Sequence, residues 1–157
     1  MAKLKGVLVD STYILPAFGI KVSEISDKDL ERLDRAYKLG LADFYFSEVV
    51  WVEVLPKVLK ECGRKGLVLE PKVVKSVVSL VGENFQRVML GETAIELAVK
   101  LRSLGHGDMI DNLLYGAAVE NNLYFMTVDT AFRDFLEEHG LKHPLITHHE
   151  LLGLLGL

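Results

Sequence analysis

The chain alternates between short, uninterrupted apolar runs and longer segments in which apolar residues recur at helical spacing. Gly6-Val7-Leu8-Val9 is an unbroken apolar run ending on Asp10, the signature of a strand buried on both faces. Leu30, Leu33 and Tyr37 mark one face of a helix that begins behind the capping-box pattern Ser26-Asp27-Lys28-Asp29 and ends at Gly40. Phe44-Tyr45-Phe46 predicts a second strand. Ser47 then caps a helix running through Glu53 towards Gly63, with Pro56 predicted to bend it. Pro71 opens a helix carrying Val73, Val74, Val77, Val78 and Val81, and Arg87-Val88-Met89-Leu90 gives a third strand signal. Ala94, Leu97, Ala98, Leu101 and Leu104 form a stripe on a helix that stops at Gly105. Asp108 caps a helix to about Asn121, and Leu123-Tyr124-Phe125-Met126-Thr127 is a strand running out into Asp129. A short helix near 131–139, a strand at Leu145-Ile146 and a helix from His148 to Leu157 complete the pattern.

Strands alternating with helices predict βαβ units, hence an α/β fold with three layers, α/β/α, around a parallel sheet of about five strands. No repeat or linker-like stretch divides residues 1–157, a length that suits a single domain. Half the residues are hydrophobic and a quarter are charged, a balance that excludes disorder. The net charge of −4 argues against indiscriminate nucleic-acid binding but is compatible with a local basic stripe. Cys62 is the only cysteine, so neither an internal disulfide nor a cysteine zinc site can form. Lys3 and Lys5 precede an apolar run cut at Asp10, too short for a secretory signal, and no run approaches the roughly 20 residues of a membrane span. The expectation is a cytoplasmic protein with no membrane association.

Against this background four acids are anomalous. Asp10 and Asp129 follow strands at their C-terminal ends, where open parallel sheets bind ligands. Singly, each could be an ordinary turn or cap residue. Asp111 shares a helix face with Leu114 and Ala118, and a carboxylate aimed at the interior needs a partner. Glu53 is the only acid within Val49-Val50-Trp51-Val52 and Val54-Leu55; its ordinary explanation is a helical pair with Lys57. Asp108 fits the N-cap of the Asp111 helix, where an acid complements the helix dipole. Four interior-facing carboxylates repel one another unless a cation or proton offsets them, which points to a metal-dependent enzyme.

The order and spacing of these residues resemble the PIN domain family, the nuclease fold of VapC-type toxins and of many archaeal proteins. Val7-Leu8-Val9-Asp10-Ser11-Thr12 is similar to its opening strand, acid and following hydroxyl residue. Ser47-Glu48-Val49-Val50-Trp51-Val52-Glu53 is similar to the segment bearing its glutamate, and Asp111 with Leu113 to Ala118 to the helix bearing its third acid. Met126-Thr127-Val128-Asp129 resembles the strand end bearing the fourth. The chain departs from the pattern at Thr12, where Asn or Ser is more usual, and in the loop holding Pro16 and Gly19.

The resemblance implies metal-dependent hydrolysis of RNA phosphodiester bonds by Asp10, Glu53, Asp111 and Asp129. Mg²⁺ or Mn²⁺ would be held by Asp10, Asp111 and Asp129, with Thr12, Thr127 and Asp108 in support. It also implies a homodimer and, for a toxin, an antitoxin partner. Lys57, Lys60 and Arg64 recur at helical intervals from Glu53 and are candidates for an RNA backbone, or else form a solvated face. Two other readings are a PIN scaffold that binds RNA or protein without catalysis and a haloacid-dehalogenase-like phosphatase. The second uses Asp-x-Asp-x-Thr, whereas Asp10 is followed by Ser11-Thr12-Tyr13-Ile14. Gly105-His106-Gly107 lacks the residues of a phosphate-binding loop. His148-His149 lacks metal-ligand spacing and is read as surface or capping residues; Trp51 and Tyr37 are read as packing residues.

Overall fold

The structure, a computed structural model, describes residues 4–157; Lys3 lies outside them. Five parallel strands, β1 (Val7–Val9), β2 (Phe44–Phe46), β3 (Gln86–Arg87), β4 (Tyr124–Met126) and β5 (Leu145–Ile146), stand in the order β3-β2-β1-β4-β5. Val7 is opposite Phe44 on one side and Tyr124 on the other, and Val9 is opposite Met126. The central strand is therefore enclosed by both neighbours and by both helical layers. Its three residues are at most 1% exposed, which is why the run is apolar without alternation. The chain builds outward from β1 through β2 and β3, then returns to build β4 and β5 on the other side. That reversal puts a crevice at the C-terminal ends of β1 and β4.

Seven helices flank the sheet among the described residues: α1 (Asp27–Lys38), α2 (Trp51–Arg64), α3 (Pro71–Asn84), α4 (Glu92–Ser103), α5 (Met109–Glu120), α6 (Thr130–Glu138) and α7 (His148–Leu154). Short 3₁₀ turns at Ser11–Tyr13, Leu15–Phe18 and Glu48–Val50 complete the fold. The Ser26/Asp29 capping box starts α1 as predicted. At Gly116 the backbones of α4 and α5 come close together. A Cβ on Gly116 would lie 2.3 Å from the Ala94 carbonyl oxygen, so only glycine allows the two helices to touch.

Three local expectations change. The edge strand is Gln86–Arg87, not 87–90; Val88 donates one more bond to the Phe46 carbonyl, then the chain turns away and leaves Met89 84% exposed. The apolar run there records the packing of Val88 and Leu90 against the core, not strand pairing. Pro56 sits within α2 without ending it. Ser47 caps the 3₁₀ turn before α2, its Oγ accepting from the Val49 amide. The last helix is capped by Thr147 in a capping box with Glu150, and His148 is buried within it. No helix among the described residues is long and apolar enough to cross a membrane.

Candidate active site

Five acids converge on the crevice, and local chain geometry puts each one there. Asp10 follows β1 directly; its amide donates to the Met126 carbonyl, locking it beside the end of β4. Its Oδ1 then caps the 3₁₀ turn by accepting from the Thr12 amide at 2.9 Å. That tight turn swings Ser11 inward, where its hydroxyl donates to Glu53 Oε1 at 2.7 Å across 42 residues of sequence. Glu53 stands in the first turn of α2, and Lys57 one turn later donates to the same oxygen at 2.6 Å. The helical pair is real, but it is half of a shared site rather than the whole explanation of the glutamate.

Asp108 and Asp129 are the N-caps of α5 and α6. Asp108 Oδ1 accepts from the amides of Ile110 and Asp111, and Asp129 Oδ1 from that of Phe132. Asp111 is the third residue of α5. Carboxylate oxygens of Glu53, Asp108 and Asp111 lie within 4.8 Å of one another, close enough to share one cation. Three helix N-termini (α2, α5 and α6) thus face the crevice, and their partial positive ends favour anionic groups there. Thr127, buried at the end of β4, accepts from the Asp129 amide and hydrogen-bonds the Asp10 carboxylate, tying the two acids together.

Electrostatics mark the cluster as over-charged. Burial pushes the Asp111 carboxyl up to about 8, and the charges of Asp108, Asp10, Glu53 and Asp129 all push the same way. Asp10, almost wholly buried, rises to about 6: desolvation outweighs the hydrogen bonds from Thr127 and Thr12, and Glu53 adds to the rise. All four predicted acids act on Asp111 or are Asp111 itself, so they form one electrostatic unit. Hard oxygen donors carrying excess negative charge fit Mg²⁺ or Mn²⁺.

The sequence matches the PIN domain family over residues 7–137. The chain belongs to the PIN domain family. Among solved structures, the VapBC2 complex from Rickettsia felis, bound to a DNA fragment from its promoter, aligns with a TM-score of 0.61 at 15% identity. The alignment covers 90% of this chain and 97% of that one. PAE2754 from Pyrobaculum aerophilum aligns with a TM-score of 0.58 at 16% identity, over 97% of this chain and 90% of that one. A toxin–antitoxin complex from Klebsiella pneumoniae aligns at 0.52 and 16% identity, over 88% and 98%. At such identities the likeness is one of fold. No curated protein matches the sequence.

In this PIN domain Thr12 and Thr127 both hydrogen-bond Asp10. Of the three basic candidates on α2, Lys57 pairs with Glu53 and Arg64 with Glu61 on the same helix; Lys60 is exposed. Residues that sequence reasoning passed over also shape the site. Ser11, not Thr12, reaches Glu53. Asn112, fully buried, exchanges hydrogen bonds with the ring and the carbonyl of His106, fixing the loop that delivers Asp108. An asparagine inside an apolar helical stripe was the available signal for that lock. His106 is held in turn by stacking on Phe132, ring centroids 4.3 Å apart.

Proposed function

We propose that this PIN domain is a metal-dependent endoribonuclease, the toxin of a toxin–antitoxin pair. The observation that carries the proposal is the approach of Glu53, Asp108 and Asp111 to within 4.8 Å, with Asp10 and Asp129 adding their charge, at the crevice where the strand order reverses. Burial and the neighbouring acids disfavour ionisation of Asp10 and Asp111, a poor arrangement for stability and a good one for a cation site. Membership of the PIN family supports hydrolysis of phosphodiester bonds.

Glu53, Asp108 and Asp111, whose carboxylate oxygens approach one another, would hold Mg²⁺ or Mn²⁺ in place of the Asp10, Asp111 and Asp129 set that the resemblance implies, with Asp10 and Asp129 completing the acidic wall. When bound, such an ion supplies an activated water and offsets charge on the phosphate. The chain's own residues do the rest. Ser11 and Lys57 fix Glu53 from two sides, so its carboxylate does not rotate away. Thr12 and Thr127 orient Asp10. The N-termini of α5 and α6 favour a phosphate at the crevice mouth, and of the basic residues on α2 exposed Lys60 is the candidate for an RNA backbone, since Lys57 and Arg64 pair with Glu53 and Glu61.

The toxin reading rests on the likeness to the Klebsiella toxin–antitoxin complex and to Rickettsia VapBC2. An antitoxin partner, a homodimer and a cytoplasmic location belong to the same proposal. Val73, Val78 and Leu80 of α3 are exposed and available for assembly, whereas Leu151 and Leu152 of α7 are buried. Purified protein should cut single-stranded RNA with Mg²⁺ or Mn²⁺ and stop on addition of chelator. Asp10→Asn and Asp129→Asn should each abolish cleavage while leaving the folded circular-dichroism spectrum intact. Full activity in either variant would reject the site.

A further inference from the structure

A second cluster lies away from the acidic crevice, where α7 packs on α1. Asp29, His148 and His149 present ligand atoms within 4.8 Å of one another. His148 is 2% exposed, and its Nε2 is a buried polar atom without a hydrogen-bond partner. That nitrogen stands 3.5 Å from Asp29 Oδ2, and His149 Nδ1 stands 3.9 Å from Asp29 Oδ1. A buried imidazole nitrogen left unpaired beside a buried carboxylate is costly unless something bridges them.

We propose that Asp29, His148 and His149 form a metal site for zinc. Zinc bonds imidazole nitrogen and carboxylate oxygen at about 2.0–2.2 Å in tetrahedral geometry, which separates neighbouring ligand atoms by roughly 3.4 Å. The 3.5 Å between His148 Nε2 and Asp29 Oδ2 is close to that value; His149 Nδ1 stands 3.9 Å from the other carboxylate oxygen, Oδ1, and its side chain, 66% exposed, is free to adjust towards a shared ion. Two imidazoles with one carboxylate select borderline transition ions, while the all-oxygen crevice selects hard ones.

The surroundings have the form that zinc ligation requires. A ligating histidine offers one ring nitrogen to the metal and is oriented by a hydrogen bond at the other. His148 Nδ1 is 2.9 Å from the Tyr13 hydroxyl, which orients the ring with Nε2 facing Asp29. Asp29 Oδ2 accepts from the amide and hydroxyl of Ser26, so the carboxylate is fixed before any ion arrives. Exposure of His149 leaves the fourth position open to water. Zinc here ties the first turn of α7 to the first turn of α1 and, through Tyr13, to the turn that follows Asp10. Local spacing rules miss this site because Asp29 is remote in sequence from the two histidines.

The test uses the full chain carrying Asp10→Asn and Asp111→Asn, which disables the acidic crevice as a competing site and makes the outcome independent of nuclease activity. Titration with Zn²⁺ after chelator treatment should show one ion bound per chain. His149→Ala in that background, a change at an exposed side chain, should weaken binding at least ~100-fold, and Tyr13→Phe roughly 10- to 100-fold. Co²⁺ in place of Zn²⁺ should give the visible absorption of a tetrahedral nitrogen–oxygen site in the parent and none in His149→Ala. Absence of bound zinc, or equal affinity with and without His149, overturns the proposal.

Discussion

Asp111→Asn removes the charge that the cluster tolerates least. In the folded chain without metal its carboxyl rises from an ordinary 3.8 to about 8. In the unfolded chain it ionises normally, so the folded state keeps the proton to higher pH. The contribution to stability is full below pH 4 and is lost as pH rises towards 8. The complete loss corresponds to about 6 kcal/mol. Asp10 feels part of the same repulsion, so the two effects are not summed. If relaxation and entering water relieve half of it, about 3 kcal/mol remains, or roughly 6–12 °C in Tm for a chain of this size. Asn at this position has similar volume and carries no charge. In chelator at pH 8.5, Asp111→Asn should therefore melt above the wild type by about that amount, and at pH 4 the two should coincide. Mn²⁺ should close most of the gap: at a hundredfold excess over Kd it stabilises the wild type by about 2.7 kcal/mol, and the variant by much less. Thermal melts followed by Trp51 fluorescence across pH 4–9, with and without Mn²⁺, provide the assay. A variant that melts below wild type in chelator at pH 8.5, or by a margin independent of pH, would show Asp111 to be structural and remove the reasoning behind the site.

Ser11→Ala breaks the hydrogen bond to Glu53; losing a bond to a charged group costs about 1.5–3 kcal/mol, so kcat for RNA cleavage should fall roughly 10- to 100-fold with the fold retained. Gly116→Ala gains about 1 kcal/mol of helix propensity but drives a methyl group into the Ala94 backbone. Denaturant unfolding should show a net loss of about 2 kcal/mol or more, and an unchanged midpoint would mean that α4 and α5 do not pack as described. Arg133 holds the Glu150 carboxyl down at about 2, with the Thr147 amide helping. Because this value is depressed, Glu150 stabilises the fold above about pH 4.5 and loses that effect as pH falls towards 2. Glu150→Gln should then cost up to about 1 kcal/mol at pH 7, after solvent screening of a half-exposed pair, and nothing at pH 2.

The parts of the fold readable from sequence were those whose signal is local. Gly6 to Val9 declares a doubly buried strand because enclosure on both faces removes the need for alternation, and Ser26 to Asp29 declares a helix start because the capping box lies within four residues. The acids were readable through contradiction: Glu53 and Asp111 are carboxylates on apolar faces. What stayed hidden depends on partners far along the chain. Nothing near Ser11 indicates that a 3₁₀ turn will aim it at residue 53, and nothing near His148 announces Asp29 or Tyr13. Asp108 was readable as a cap, but its second service beside Glu53 and Asp111 follows from the packing of α5 near α2. At residues 87–90, burial on one side of a loop imitates the pattern of a strand.

The central position of β1 has a temporal consequence. Its neighbours in the sheet are β2 and β4, so the strand synthesised first is not enclosed until residues 124–126 have been made. The Asp10–Met126 hydrogen bond and the Thr127 contact that hold the first acid need that same late strand. A growing chain can cap its early helices, yet it possesses no acidic crevice before β4 emerges and docks. Ribosome-bound intermediates therefore hold no assembled crevice, and a truncated product ending before Asp129 lacks one of the five acids. Long-range closure of a parallel sheet is slow, so assembly of the crevice lags behind synthesis of most of the residues that line it.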